Sequence, residues 1–579
     1  MRRKMNPEDE CNFEVDINIY EDASLWMEKD RLWQKNVPDY IPKALKYPEH
    51  LPNLYCYLAK GASEFPNVCA IFDYDQNVKY TYREYKYNVD KLATALYNLG
   101  IQKGDGVAIF TGNCPEFYFA LFAVVKIGVI LVPINPLLKK HEVTHIVGDA
   151  GIVKAIIVHQ RLLGELRRVL KITPIEKIII IKREKEAADT IDFNELMNSA
   201  EPKPPKVDIN IKEDLAFIIY TGGTTGMPKG VMLSHFNMMA NVAQTGNRIY
   251  DIKKSLAIRG QWTNIAILPL AHIYGLLMAI TTTLGGYMNI IAAFEPLKIL
   301  QIIDKYKVQV FSGIPTMYVF IANHPDFKKY DISSLQLVTS AASALAPATG
   351  RAWEDSGVKV VQGYGLTECS PATHLQPIEW CKTIEDSIGI PIPDTDVKIT
   401  DIADPTKELE LGQEGELLIR GPQVMKGYWR KPEATAAVLT EDGWLRTGDI
   451  AKMDENGYFY IVGRSKEQIK YKGYRILPAE VENMLFEHPA VLECAVIGLP
   501  QDDVGETIKA FIKLRPEYKG KVTEQEIIDW AKEEMAGYKW PRIVEFIETI
   551  PKTTVGKVFR RQLLERELKK KEGKEAEEE

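Results

Sequence analysis

The stretch Tyr220–Val231 reads YTGGTTGMPKGV and continues the apolar run Leu215–Tyr220. A strand feeding a loop of four glycines, three threonines and one lysine supplies backbone N–H groups, hydroxyls and a cation. Those are the groups that grip a polyphosphate. The loop is not a Walker A sequence, because Lys229 lies between Pro228 and Gly230 where that motif needs Gly-Lys-Ser/Thr. A Gly/Thr loop alone serves equally as a turn between two strands, so its reading depends on what surrounds it.

Helical patterns alternate with short β-branched runs on both sides of this loop. Before it stand Gly106–Phe110, Val129–Pro133, Ala155–Val158 and Lys177–Ile181; after it stand Val308–Ser312, Leu335–Thr339 and Val358–Gln362. Such alternation predicts βα units around largely parallel sheets. The connector EPKPPKVDINIKE (Glu201–Glu213) separates the two sets. After about Lys398 strands shorten and glycines become frequent, and from about Lys466 to Arg566 the pattern reads αββαβ. Its elements are Glu480–Glu487, Leu492–Gly498, Ile508–Leu514, Glu524–Ala536 and Ile543–Ile547. The predicted fold is α/β and multidomain: a large N-terminal domain of two βαβ-type subdomains plus a small β-rich subdomain, then a small mobile α+β C-terminal domain. The expected bounds are an arm at 1–50 wrapped on the body, the large domain at 51–465, the C-terminal domain at 466–566, and a charged tail at 567–579. The tail's mixed-charge composition predicts disorder.

At 579 residues the chain is too long for a single core. With 46% hydrophobic and 26% charged residues it has an ordinary globular composition. A net charge of −7 argues against nucleic acid as a main partner. Seven scattered cysteines without a C-x-x-C pair suggest neither a disulfide framework nor a zinc site, and fit a reducing cytosol. MRRKMNPEDE is followed by no apolar region of signal-peptide type. Phe117–Pro133 is apolar but short, and is broken by Lys126 and Gly128. Gly275–Phe294 carries twenty residues without a charge, split by Thr281–Thr283 and Gly285-Gly286. It reads as a buried helix, a tight turn and a core strand, and such a helix could line an oily pocket. A cytoplasmic location is expected; a weak peripheral contact at the inner face of the membrane stays open, although no amphipathic basic helix stands out.

Five further segments follow in order: LPLAHIYG (Leu268–Gly275), GYGLTE (Gly363–Glu368), TGD (Thr447–Asp449), GRSKEQIKYKGYRILPAEVE (Gly463–Glu482) and PKTTVGK (Pro551–Lys557). Each has an unremarkable reading: His272 as a helix-head residue, Asp449 as a turn cap, Lys466, Lys470 and Lys472 as a solvated face. Taken together, their order and spacing resemble the adenylate-forming superfamily of acyl-CoA synthetases, luciferases and adenylation domains, over about residues 50–566. The chain most resembles long-chain fatty acid–CoA ligases, through Val37–Pro52, Val132–Gly151, Gly363–Pro377, Ser387–Ile399 and GPQVMKGYW (Gly421–Trp429).

The resemblance implies that a fatty acid carboxylate attacks the α-phosphate of Mg·ATP to give acyl-adenylate and pyrophosphate, after which coenzyme A takes the acyl group. It implies that Thr221, Gly222, Gly223, Thr224, Thr225, Gly226 and Lys229 wrap the β- and γ-phosphates. Thr367 would contact the α-phosphate, and Glu368, with Thr224, would ligate Mg²⁺. Gln362, Gly363 and Tyr364 would border adenine and the acyl-phosphate, Asp449 and Arg464 would hold the ribose, and His272 would position the acyl-phosphate. Lys557 would bridge carboxylate and ATP in the first step. A hinge at Lys466 would then bring up the face bearing Lys470, Lys472 and Gly473 for the CoA step. Two departures stand out: Gly222 where many relatives have serine, and SAASAL (Ser340–Leu345) in place of a segment richer in Gly and Pro. The added methyl of Ala341 suggests a narrower channel and medium-length chains. A different acid, transfer to a carrier protein, a nucleotide- or lipid-binding regulator, and a homodimer all stay open at this stage.

Overall fold

The β-branched runs become strands and the amphipathic stretches between them become helices in the computed structural model. It describes residues 31–37, 44–47, 49–169, 175–221, 227–249, 258–377, 385–472, 474–501, 504–553 and 557–578. Two compact units result. One holds most of the chain as far as Asp396 together with Ile419–Leu445; the other holds Val397–Leu418 and the chain from Arg446 onward. The division departs from the expected boundary at 465, because the β-rich segments group with the C-terminal residues.

The first unit contains two large sheets. One orders its strands Gly427–Tyr428, Lys229–Ser234, Leu215–Thr221, Ile130–Ile134, Gly106–Phe110, Val153–His159, Lys177–Ile181 and Ile191–Asp192. From Leu215–Thr221 outward every pairing is parallel, and the two strands on the other side are antiparallel. The other sheet runs Ile390–Pro391, Ala372–Leu375, Val360–Gly365, Leu337–Ser340, Val310–Gly313, Thr263–Ile265, Met288–Ile291, Cys69–Asp73 and Val78–Thr81. Its interior is parallel and both margins are antiparallel. Parallel strands covered by helices must be apolar on both faces, and Gly106–Phe110 and Ile130–Ile134 are buried throughout.

The uncharged stretch resolves as read: helix Ile273–Leu284, a turn at Gly285-Gly286 and strand Met288–Ile291. Among the described residues no helix is long and apolar enough to cross a membrane. The arm's described part packs on the first unit, where Leu45 N and Tyr47 Oη both donate to Asp394 Oδ2 and Arg31 pairs with Asp396 at 2.9 Å. Cys69, Cys114, Cys369 and Cys494 are free thiols.

Strands Asp396–Thr400, Gly415–Arg420, Leu445–Met453 and Phe459–Arg464, most of whose residues belong to the second unit, form a four-stranded sheet. The predicted αββαβ pattern appears as helix Pro478–Phe486, strands Val491–Gln501 and Gly505–Leu514, helix Glu524–Glu534 and strand Ile543–Phe546. An unpredicted hairpin, Ile469–Tyr471 and Tyr474–Ile476, joins their sheet. The tail corrects an expectation: the last helix runs Arg560–Glu578, so residues 567–578 are helical rather than disordered. Its charges fall at helical spacing, with Arg561–Glu565 and Lys570–Glu567 pairs. Buried Leu563 and the Arg560–Glu482 pair anchor its start.

Candidate functional site

The strands on either side of the Gly/Thr-rich sequence are antiparallel, and their pairing ends at Thr221↔Lys229. Gly222, Gly223, Thr224, Thr225 and Gly226 lie outside the described residues, but both stems are fixed. Tyr220 Oη donates to Asp149 Oδ2 at 2.9 Å, and Lys431 pairs with the other oxygen of that carboxylate at 2.8 Å. Burial and the adjacent Asp149 push the Tyr220 hydroxyl's pKa up, so it stays a donor. At the exit, His145 Nε2 shares a 2.7 Å hydrogen bond with Pro228 O. The strand Gly427–Tyr428 pairs beside Val231 and Met232. It places the Tyr428 ring under Lys229, whose Nζ stands 4.3 Å from the ring centroid.

Tyr428 Oη also donates to Glu368 Oε1 at 2.8 Å. One side chain therefore touches the loop's lysine and the carboxylate of GYGLTE, 139 residues apart in sequence (368 minus 229). The GYGLTE turn has little freedom. A Cβ on Gly365 would stand 2.2 Å from Pro371 O, so only glycine fits. Gln362 N donates to Gln376 Oε1, and Gln362 Oε1 accepts from Leu345 N at 2.9 Å, tying the strand to the end of SAASAL. Gly363 and Tyr364 pair with Leu375 and His374, while Thr367 is buried in the short turn Thr367–Cys369.

Behind this turn runs helix His235–Ile249, which carries buried Asn237, Asn241 and Gln244. Asn241 makes a two-way clamp on Ala372: its Nδ2 donates to Ala372 O at 2.8 Å and its Oδ1 accepts from Ala372 N at 3.0 Å. Asn237 Nδ2 donates to Pro422 O and Val424 O, and the next residue, Met425, donates its N–H to Glu368 O. These residues were not among the sequence candidates. Their signal was present, since Asn237, Asn241 and Gln244 recur at i, i+4 and i+7 on one stripe of the helix.

His272 caps helix Ile273–Leu284, its Nδ1 accepting from Tyr274 N at 3.3 Å. Asn113 holds the segment before it, donating to Ala266 O and Leu268 O and accepting from Leu270 N. Tyr274 Oη lies 2.8 Å from Thr339 Oγ1, one residue from the Ser340↔Gln362 pairing.

In the second unit Asp449 and Arg464 face each other across a strand pair and form a 2.8 Å ion pair, with Asp449 buried. Lys466 is exposed in the turn Ser465–Glu467. Lys470 and Lys472 are exposed on the hairpin, Lys472 with φ of 46°; Gly473 lies outside the described residues. Lys557 stands at the foot of a small loop closed by Thr553 N donating to Lys557 O at 2.7 Å. The structure thus joins Lys229, Tyr428 and Glu368 in one cluster and Asp449 with Arg464 in another. Lys466, the Lys470–Lys472 pair and Lys557 occupy separate segments of the second unit.

Lys229 and the Glu368 carboxylate thus share Tyr428 as a neighbour, ahead of a C-terminal αββαβ region. The AMP-binding enzyme family matches residues 58–429, and the AMP-binding enzyme C-terminal domain matches 480–557. The chain belongs to the AMP-binding enzyme family. A long-chain-fatty-acid–CoA ligase of Bacillus subtilis is 39% identical over 572 residues, covering 93% of this chain and 99% of that protein. Among solved structures, the anthranilate CoA ligase AuaEII in complex with anthranoyl-AMP superposes with a TM-score of 0.80 at 30% identity, over 88% of this chain and 96% of that one. ATP-bound MatB from Rhodopseudomonas palustris gives 0.80 at 28% identity, over 89% and 98%.

Proposed function

We propose that this protein is an ATP-dependent fatty acid–CoA ligase: carboxylate and Mg·ATP give acyl-adenylate and pyrophosphate, then the CoA thiol displaces AMP to give acyl-CoA. The observation that carries the reading is the near full-length likeness to the Bacillus subtilis long-chain ligase, together with the anchored Lys229–Tyr428–Glu368 cluster.

The chemistry asks the protein mainly to bring two anions together and hold their geometry. Lys229 supplies a cation beside the triphosphate, and Thr367 a hydroxyl near the α-phosphate. Gln362, Gly363 and Tyr364 offer a backbone edge and a ring for adenine and the acyl-phosphate; Asp449, oriented by Arg464, accepts from ribose hydroxyls. His272 orients the acyl-phosphate from the head of the apolar helix. Lys557 neutralises charge that develops as the carboxylate attacks, and Lys470 and Lys472 serve the CoA step, with Lys466 as the hinge. The donor set suits Mg²⁺. Among the described residues no cluster of three His, Cys, Asp or Glu side chains could hold a metal, and Mg²⁺ bound mostly by phosphate and water needs only one or two carboxylates. Glu368 provides one. When bound, the ion offsets phosphate charge.

Pyrophosphate release against acids from acetate to stearate plus aryl acids, with and without CoA, tests this reading. Sustained turnover only with CoA, peaking among medium or long chains, supports it. A peak with aryl acids moves the substrate toward that of the anthranilate ligase. Release indifferent to CoA favours a carrier-protein acceptor.

A further inference from the structure

Tyr428 is 7% exposed and fixed from both sides. Its strand pairs with Val231 and Met232, its N–H donates to Thr435 Oγ1 at 2.9 Å, and the neighbouring Trp429 N donates to Gly230 O. The ring therefore has a set place, and from that place it meets two opposite charges: the Glu368 carboxylate through its hydroxyl, and the Lys229 ammonium through its face. A lysine and a carboxylate that contact the same side chain in a half-buried site can close into an ion pair, which an incoming metal and triphosphate would then have to break. Tyr428 gives each charge a weaker substitute partner. The hydroxyl occupies one of about four acceptor positions on the carboxylate and leaves the rest for a cation. The π face holds an ammonium without neutralising it.

We infer that Tyr428 is a positioning residue for the metal–triphosphate end of the site: its hydroxyl orients Glu368 toward a divalent cation, and its ring holds Lys229 ready for phosphate, keeping the two charges apart. This rests on the nucleotide-binding reading above and adds to it a residue that acts only through others.

The test is calorimetric titration of the full-length protein with adenylyl imidodiphosphate at varied Mg²⁺, without acid or CoA. Tyr428→Phe keeps the ring and removes one hydrogen bond to a charged group, so the Mg²⁺ needed for half-maximal binding rises about tenfold. Metal-free binding of the analogue stays within about twofold of wild type, because Lys229 keeps its ring. Tyr428→Leu removes the ring as well and weakens binding with or without Mg²⁺. In a Glu368→Gln background Tyr428→Phe adds no further change, since the two act as a unit. An unshifted Mg²⁺ dependence in a folded Tyr428→Phe protein, or an equal shift in the Glu368→Gln background, overturns the inference alone. Failure of the wild-type protein to bind the analogue overturns the nucleotide reading and the inference with it.

Discussion

Asn241 offers a direct measure of how the helix behind the site holds the GYGLTE turn. Its side chain is fully buried, and both of its polar atoms are bonded to the backbone of Ala372. Asn241→Leu keeps most of the volume and removes both bonds, together with the longer 3.2 Å donation from Asn241 Nδ2 to Gln244 Oε1. Each lost bond is worth about 1 kcal/mol, and the backbone groups left without partners add at least about 1 kcal/mol more because Ala372 is half-buried. The sum is about 3 kcal/mol, or about a hundredfold in the opening equilibrium of this turn. Hydrogen exchange by mass spectrometry across residues 366–377 reads that opening locally and does not require the whole chain to unfold in one step. The exchange of Ala372 N–H is expected to accelerate by about a hundredfold, with pyrophosphate release falling at least about tenfold as Thr367 and Glu368 lose their frame. Asn241→Asp keeps the acceptor but sets a carboxylate against Ala372 O, and should be at least as disruptive at neutral pH. Exchange within about threefold of wild type in Asn241→Leu would refute the reasoning, since it would mean the clamp contributes less than a single ordinary hydrogen bond.

Three other perturbations have definite expected outcomes. Burial lowers the His235 pKa from 6.5 to about 4, so the unfolded chain binds the extra proton first as pH falls. The stabilisation from keeping the ring neutral is complete above pH 6.5 and is lost as pH drops toward 4, up to roughly 3 kcal/mol. His235→Gln should flatten that acid limb in thermal melts between pH 6.5 and 4, and an unchanged slope would count against it. Ala342 holds φ of 77° in the SAASAL loop, where a Cβ costs about 1–2 kcal/mol. Ala342→Gly should raise the melting temperature slightly after glycine's own entropy cost, whereas a lower midpoint would show that the strain is relieved elsewhere. Asp449→Asn weakens the ion pair with half-exposed Arg464 and the acceptor proposed for ribose. The KM for ATP in pyrophosphate release should rise about tenfold, and a wild-type KM would remove Asp449 from the nucleotide site.

Much of this architecture is visible as local pattern. Gly106–Phe110 and Lys177–Ile181 read as strands and are strands with those bounds, because β-branched runs between turn residues have few other uses. The stretch after Gly275 reads as helix, turn and strand because two glycines interrupt an uncharged run. Motif order carried the family for a similar reason: a Gly/Thr-rich loop, a Thr-Glu turn and a C-terminal lysine are each legible where they stand. The charged tail misled, since composition alone cannot see that Leu563 and Arg560 dock the start of a helix and let its Glu/Lys pairs extend it.

Tertiary structure alone decided the partnerships. Asn241 and Ala372 are 131 residues apart, and Tyr428 and Glu368 are 60 apart. Nothing in the periodicity around Tyr428 distinguishes a ring that orients a carboxylate from one that fills a sheet edge. Periodicity reports which face of an element is buried. Which groups meet across that face depends on strand order and on crossovers between elements far apart in the chain, and the buried hydrogen bonds that set the site form only when those elements have packed.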